Sequence, residues 1–262
     1  MKIKFFSLIA MCFLLNMFAS DIKILSGLTF EEMVVPGESL KGEILVYNSS
    51  DEENMIKTKM VDYFFYADGR NEYKEIGENK RSNANWIDIT PKQFKIPPKA
   101  KAKINFEIKI PENDDLMGSY WSMLLIEPQK TIQKTEAQNE VGLDVVFRYG
   151  YQFITSLKDS DADIKILQKK ICREDGKTYL VVDVENIGDV KITPKLWMDV
   201  FDDDGQQMGH FEQDAVRIFP TCSSRYHLDI SNLKQGNYQA LVVFDDDDHF
   251  AFGSEYQLEI SE

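Results

Sequence analysis

Residues Ile104–Ile110 alternate without a fault: Ile104, Phe106, Ile108 and Ile110 fall on one side, Asn105, Glu107 and Lys109 on the other. A period of two places successive side chains on opposite faces of a strand. Pro111 ends the run because it has no N–H for a ladder. Similar short runs recur along the chain: Gly42–Asn48, Ile56–Tyr66, Tyr120–Ile126, Leu143–Ile154, Ile164–Cys172 and Tyr179–Glu185, then Leu196–Phe201, Arg225–Ile230, Tyr238–Phe244 and Tyr256–Ile260. Turn signals separate them, among them Ala67-Asp68-Gly69, Glu174-Asp175-Gly176 and Asp202-Asp203-Asp204-Gly205. No stretch after residue 20 carries a 3.6-residue period. Short strands at this spacing predict an all-β chain of antiparallel sandwiches.

The pattern also repeats. Gly118-Ser119-Tyr120 followed by Met123–Ile126 matches Gly236-Asn237-Tyr238 followed by Leu241–Phe244. Pro98 ahead of one alternating strand matches Pro220 ahead of another, and Leu45–Asn48 matches Val182–Asn186. The separation of matched positions falls from 138 residues at Asn48 and Asn186, through 122 at the prolines, to 118 at the glycines. The first copy therefore carries the longer inserts, chiefly around 68–85. Two tandem immunoglobulin-like antiparallel β-sandwiches explain this, one over 21–157 and one over 158–262. The junction Ser156–Asp161 is short, so the two should be closely coupled. The Gly-x-Tyr elements suggest tyrosine corners, with Tyr120 and Tyr238 bonding backbone at a strand entry.

Residues 1–20 read as a secretory signal peptide: Lys2 and Lys4, an apolar run from Phe5 to Leu15, then Ala19 and Ser20. That run is shorter than the roughly 20 residues a membrane span needs. The expected protein is exported, to the periplasm or cell surface, with no membrane insertion after signal cleavage. Thirty basic against 44 acidic residues give a charge of −14; losing Lys2 and Lys4 leaves −16. Neutralising nucleic-acid phosphates needs a basic surface, so a nucleic-acid partner is excluded.

Chemistry can be tested motif by motif. His210, His227 and His249 lie in no nucleophile motif, and Cys222 and His227 are too sparse for zinc. No enzyme activity and no resident cofactor are expected. The acidic turns Asp202–Asp204 and Asp245–Asp248 are the candidates for calcium, with Asp202, Asp204, Asp245 and Asp247 as ligands if strand pairing brings the two turns to one end of the second sandwich. Trp86, Trp121, Trp197, Phe64, Phe65 and Tyr66 could instead form a carbohydrate platform, although core packing is the commoner role. A calcium- or carbohydrate-binding module is thus the alternative function. Cys172 and Cys222 could pair in an oxidising compartment or remain two separate thiols.

The first domain also carries Pro36-Gly37, Gly42–Asn48, Trp86–Pro91, Phe94–Pro98 and Gly118–Trp121 in that order. This series resembles the amino-terminal domain of periplasmic pilus-chaperone-like proteins. It is similar as well to the immunoglobulin-like module of the WxL-interacting type of bacterial surface proteins. The resemblance implies a non-catalytic, exported protein-binding protein of the bacterial cell envelope, whose partner is an envelope or surface protein. In pilus chaperones the last strand of the first domain lends alternating apolar side chains to an incomplete partner. Carried over, this makes Val145, Phe147, Tyr149 and Tyr151 partner-binding residues, with Arg148 a basic anchor for a carboxylate. The chain departs from the pattern in two ways. Lys23 is the only basic residue near the first strand, and the overall charge is acidic.

Overall fold

The computed structural model describes residues 21–129, 147–157, 160–247 and 250–261. The first sandwich contains β1 (Ile22–Ile24), β2 (Thr29–Met33), β3 (Ser39–Asn48), β4 (Asn54–Phe65), β5 (Asn71–Lys74), β6 (Ile87–Thr90), β7 (Gln93–Ile96), β8 (Lys101–Lys109), β9 (Ser119–Gln129) and β10 (Tyr149–Ser156). One sheet runs β1-β3-β8-β6; the other runs β2-β10-β9-β4-β5, with β7 also on β4. The second sandwich contains β11 (Ile164–Glu174), β12 (Lys177–Asn186), β13 (Lys195–Phe201), β14 (Gln207–Gln213), β15 (Ser223–Asp229), β16 (Gly236–Asp245) and β17 (Ala251–Ile260). Its sheets are β11-β12-β15 and β14-β13-β16-β17. No helix among the described residues is long and apolar enough to cross a membrane.

Alternation decides which side chains meet. Ile104, Phe106 and Ile108 are buried in the first core with Ile44, Ile126 and Phe153, while Lys101 and Lys103 point outward. The Asp175-Gly176 turn closes β11 onto β12 with Glu174 opposite Lys177. Both turn residues have positive φ, 50° and 77°, the conformation that a two-residue hairpin needs and that Asp-Gly supplies.

The repeat has a structural meaning. Asn48 and Asn186 end β3 and β12, and both are fully buried. The Asn48 amide donates to the carbonyls of Glu52 at 2.7 Å, Ile96 at 3.0 Å and Pro97 at 3.1 Å. The Asn186 amide donates to Ile218 at 2.9 Å and Val190 at 2.8 Å. Each side-chain oxygen accepts an N–H two residues on, from Ser50 and Gly188. The loop that each asparagine holds then turns through a non-glycine residue at positive φ just after proline, Lys99 at 54° and Thr221 at 64°. Each sandwich thus ties a strand end to the crossing proline loop in the same way, satisfying carbonyls that burial would otherwise leave unpaired.

The two cores meet. Trp121 and Ile154 lie on the outward face of the first domain's sheet, yet both are buried and pack with the second core. Phe219 stacks face to face on Trp121 at 4.8 Å and meets Phe65 edge-on at 5.8 Å. Trp121 donates its indole N–H to the Tyr63 carbonyl at 2.7 Å. Around this aromatic contact lie Lys191 to Glu31 at 2.6 Å, Arg217 to the Gln152 side-chain oxygen at 2.8 Å, and the Arg81–Asp189 ion pair. The Ser119 N–H donates to the Asp189 carbonyl at 2.8 Å. Gly118 beside it adopts φ 72°, and a Cβ there would overlap that same carbonyl oxygen. The insert over 68–85 supplies Arg81. It is held by buried Asp62, whose carboxylate accepts from Gly77 N at 2.9 Å, Asn79 N at 2.8 Å and Ser82 Oγ at 2.5 Å.

A candidate partner-binding strand edge

The chain enters the first sandwich on one sheet and crosses to the other between β1 and β2. β1 pairs with β3, and β2 then runs parallel to β10. That second pairing begins only at Gln152 opposite Thr29, with the Gln152 N–H donating to the Leu28 carbonyl at 2.8 Å. On its other side β10 pairs with β9 along its whole length, from Tyr149 opposite Ile126 to Ser156 opposite Ser119. Tyr149, Gly150 and Tyr151 therefore have one side that no strand among the described residues occupies. Strand geometry alternates the direction of backbone groups, so the N–H and C=O of Gly150, two before Gln152, point to the open side. Phe147, just before β10, and Leu28, just before β2, are 42% and 47% exposed.

The side chains proposed for this edge divide. Phe147 is exposed. Arg148 is exposed too and pairs with Glu127 at 2.5 Å. Tyr151 corrects the expectation of an offered side chain: it is 4% exposed, packed in the first core and tilted against Phe153 at 5.1 Å. Burial raises its hydroxyl above the usual tyrosine range. Tyr149 is half-buried and donates its hydroxyl to the Ile22 carbonyl, bracing β1. The reason is the sandwich itself, since the odd positions of β10 face the core and the even ones face out. Val145 lies outside the described residues. Lys23 is exposed opposite Tyr47, whereas the β2 residue facing the second domain is the acidic Glu31, near Lys191 and Arg217.

The other candidate sites are not assembled. In the β13–β16 register Lys195 lies opposite Asp245 and Phe201 opposite Gln239. The turn after Phe201 and the turn after Asp245 therefore sit at opposite ends of the sheet, roughly 20 Å apart at strand rise. This separates Asp202 and Asp204 from Asp245 and Asp247, correcting the shared-end expectation. Asp202 instead accepts from Asp204 N and Gln206 N within its own turn, while Asp245 and Asp247 face Lys195 at 3.7 and 3.9 Å. Among the described residues no group of three His, Cys, Asp or Glu side chains is placed to hold a metal.

Cys172 and Cys222 are both free thiols. Cys172 lies opposite Tyr179 at one end of β12, whereas the Cys222 carbonyl accepts from Asn186 at the other. A disulfide needs Cα atoms within about 7 Å, and the length of β12 separates these two. Burial pushes the Cys222 thiol up to about 12.

The aromatic platform is likewise divided. Trp121 joins the two cores, Trp86 packs on Tyr120 at 4.7 Å, and Trp197 lies on the outer face of the second domain beside His210. A cleft of about 460 Å³ also opens between the domains, lined by Tyr63, Tyr66, Arg70, Arg217, Phe219 and Arg225 among others. Its members come from distant stretches, so no local motif announces it. Its arginines are already engaged, most tightly Arg225 by both oxygens of Asp183 at 2.6 and 2.8 Å.

No family model matches the chain, and no curated protein matches it in sequence. Solved structures do. A chain in a chaperone–tip adhesin complex of CFA/I fimbriae is 13% identical with a TM-score of 0.50, covering 90% of this chain and 98% of that one. The class 5 fimbriae chaperone CfaA is 13% identical at 0.49, covering 92% and 100%. A chain in the CsuC–CsuE chaperone–tip subunit complex of Acinetobacter baumannii is 9% identical at 0.43, covering 90% and 98%. The likeness to the CFA/I chain spans both sandwiches: this chain has the two-domain immunoglobulin-like fold of the fimbrial periplasmic chaperones.

Proposed function

We propose that this chain is a non-catalytic, exported protein-binding protein of the bacterial cell envelope that acts as a chaperone or surface adaptor by strand addition. The observation that carries this reading is the open side of β10 between Phe147 and Tyr151, where pairing with β2 has not yet begun. Unpaired N–H and C=O groups on a sheet edge are a template for another strand. An extended segment docking there gains affinity from main-chain bonds and specificity from side-chain pockets. Exposed Phe147, just before β10, and Leu28, whose carbonyl accepts from Gln152, supply apolar surface for it. The partner is an envelope or surface protein that offers an extended apolar segment. The fold shared with a chain from a chaperone–tip adhesin complex supports the same reading.

The test is recovery of an envelope partner from the host by the mature protein, with mass-spectrometric identification. Phe147→Asp should cut recovery at least tenfold while the melting temperature stays within a few degrees, because Phe147 is outside the core. Arg148→Ala separates an anchor from a surface ion pair: a loss comparable to that of Phe147→Asp makes it an anchor. No recovered partner, or recovery unchanged by both substitutions, overturns the proposal.

A further inference from the structure

The second domain presents an outward sheet face that the strand-addition reading does not use. Along β13, β16 and β17 the register places Trp197, Val243 and Gly253 in one outward row, Asp199, Leu241 and Glu255 in the next, and Phe201, Gln239 and Gln257 in the third. The inward residues between them, Met198, Val200, Ala240 and Val242, are buried, so this row order is a real face. Gly253 has no side chain to fill the floor, and a Cβ there would only touch Val243 and Leu241 at 3.8 and 3.9 Å. The apolar residues thus bend around Asp199, from Trp197 across to Val243, along β16 to Leu241 and diagonally back to Phe201, with Leu241 37% exposed. At its lower end lies a depression of about 370 Å³, lined by Phe201, Leu241, Gln239, Gln257 and Glu255 among others.

The rim is acidic. Glu212 stands opposite Trp197 on β14, Asp199 and Glu255 flank Leu241, and Glu259 follows on β17. His210 bonds to Asp199 at 2.7 Å, and Lys195 at the far end faces Asp245 and Asp247. Among the described residues Glu212, Glu255 and Glu259 have no ion-pair partner. An apolar surface with Asp199 in its midst and three carboxylates without ion-pair partners beside it repels both an anionic lipid surface and a second copy of this acidic chain. It complements a basic surface with an apolar centre.

We propose that this face docks a positively charged protein partner, which seats an apolar side chain in the Phe201–Leu241 depression and sets a Lys or Arg on Glu255. Aliphatic stems of such residues lie well along apolar surface while their charges reach a rim carboxylate. The surface is on the other domain from the β10 edge, so either proposal can fail alone.

A photo-crosslinking residue in place of Gln239, within the depression, tests it in the host, with the same residue at exposed Lys165 on β11 as reference. The expected result is one protein adduct whose crosslinked peptide contains Lys or Arg. Leu241→Asp and Glu255→Lys should each lower that adduct at least tenfold, the scale of a central interface residue, with melting unchanged because both side chains are exposed. The proposal is overturned by an adduct no stronger than at position 165, by an adduct with this chain itself, a lipid or a glycan, by a crosslinked peptide without basic residues, or by insensitivity to both substitutions.

Discussion

Asn48 and Asn186 occupy the same place in the two sandwiches and share three side-chain bonds, to the carbonyl four residues on, to a carbonyl ahead of the proline loop and from the N–H two residues on, whereas the two Gly-x-Tyr elements, equally alike in sequence, do different things. In the second domain Tyr238 donates its hydroxyl to the Lys234 carbonyl at 3.0 Å, a corner that stabilises its own sandwich. In the first domain Tyr120 lies against Trp86 and under the Arg81 guanidinium, and Gly118 presses on Asp189 of the second domain. Charge differs too. Residues 21–157 carry 22 acids and 17 bases, residues 158–262 carry 22 acids and 11 bases. The acidity therefore belongs mainly to the second domain, where Asp199, Glu212, Glu255 and Glu259 lie on or beside an apolar sheet face. A duplicated fold keeps the devices that satisfy buried backbone and reassigns those at its ends to joining the copies.

The largest expected effect lies at the glycines. Gly118→Ala forces a Cβ into left-handed backbone and into the Asp189 carbonyl, and should cost about 4 kcal/mol in chemical denaturation. Gly236→Ala, whose Cβ would meet only the Tyr238 ring and hydroxyl from 3.4 Å outward, should cost about 1 kcal/mol. Equal costs would mean that the first element is not a joint. Next come the asparagines. Asn48→Ala and Asn186→Ala each strand buried carbonyls, and each should cost about 3 kcal/mol. A large inequality between them would break the equivalence of the two proline loops. Smallest is the corner: Tyr238→Phe should cost about 1 kcal/mol and Tyr120→Phe clearly less, since only Tyr238 has its hydroxyl bonded at the corner. The reverse order of melting shifts would place the corner in the first domain.

Much of this was legible beforehand. The long runs with β-branched and aromatic residues became β3, β4, β8, β9, β11, β12, β13, β15, β16 and β17. The strands without a signal were short or irregular. β1 has three residues and β5, β6 and β7 four each. β14, Gln207–Gln213, has no β-branched residue and a glycine in its middle, and pairing with β13 makes it a strand. The run Leu143–Ile154 reads in sequence as a donor strand offering its odd side chains to a partner, but Tyr149 and Tyr151 turn toward the first core. Period two identifies two faces and cannot say which is inside. The arginines and aromatics between the domains were illegible for another reason, since Trp121 and Phe219, stacked in space, are 98 positions apart.

By itself the sequence determined the strand habit, the turn at Asp175-Gly176, the duplication and the acidic balance, because each depends on neighbours within a few residues or on composition alone. Tertiary structure decided that Tyr151 is core and Phe147 is not, that Cys172 and Cys222 sit at opposite ends of β12, and that the two Asp turns lie at opposite ends of their sheet. Those outcomes depend on which strand pairs with which and in what register. A single chain sets that only when distant apolar faces are buried together.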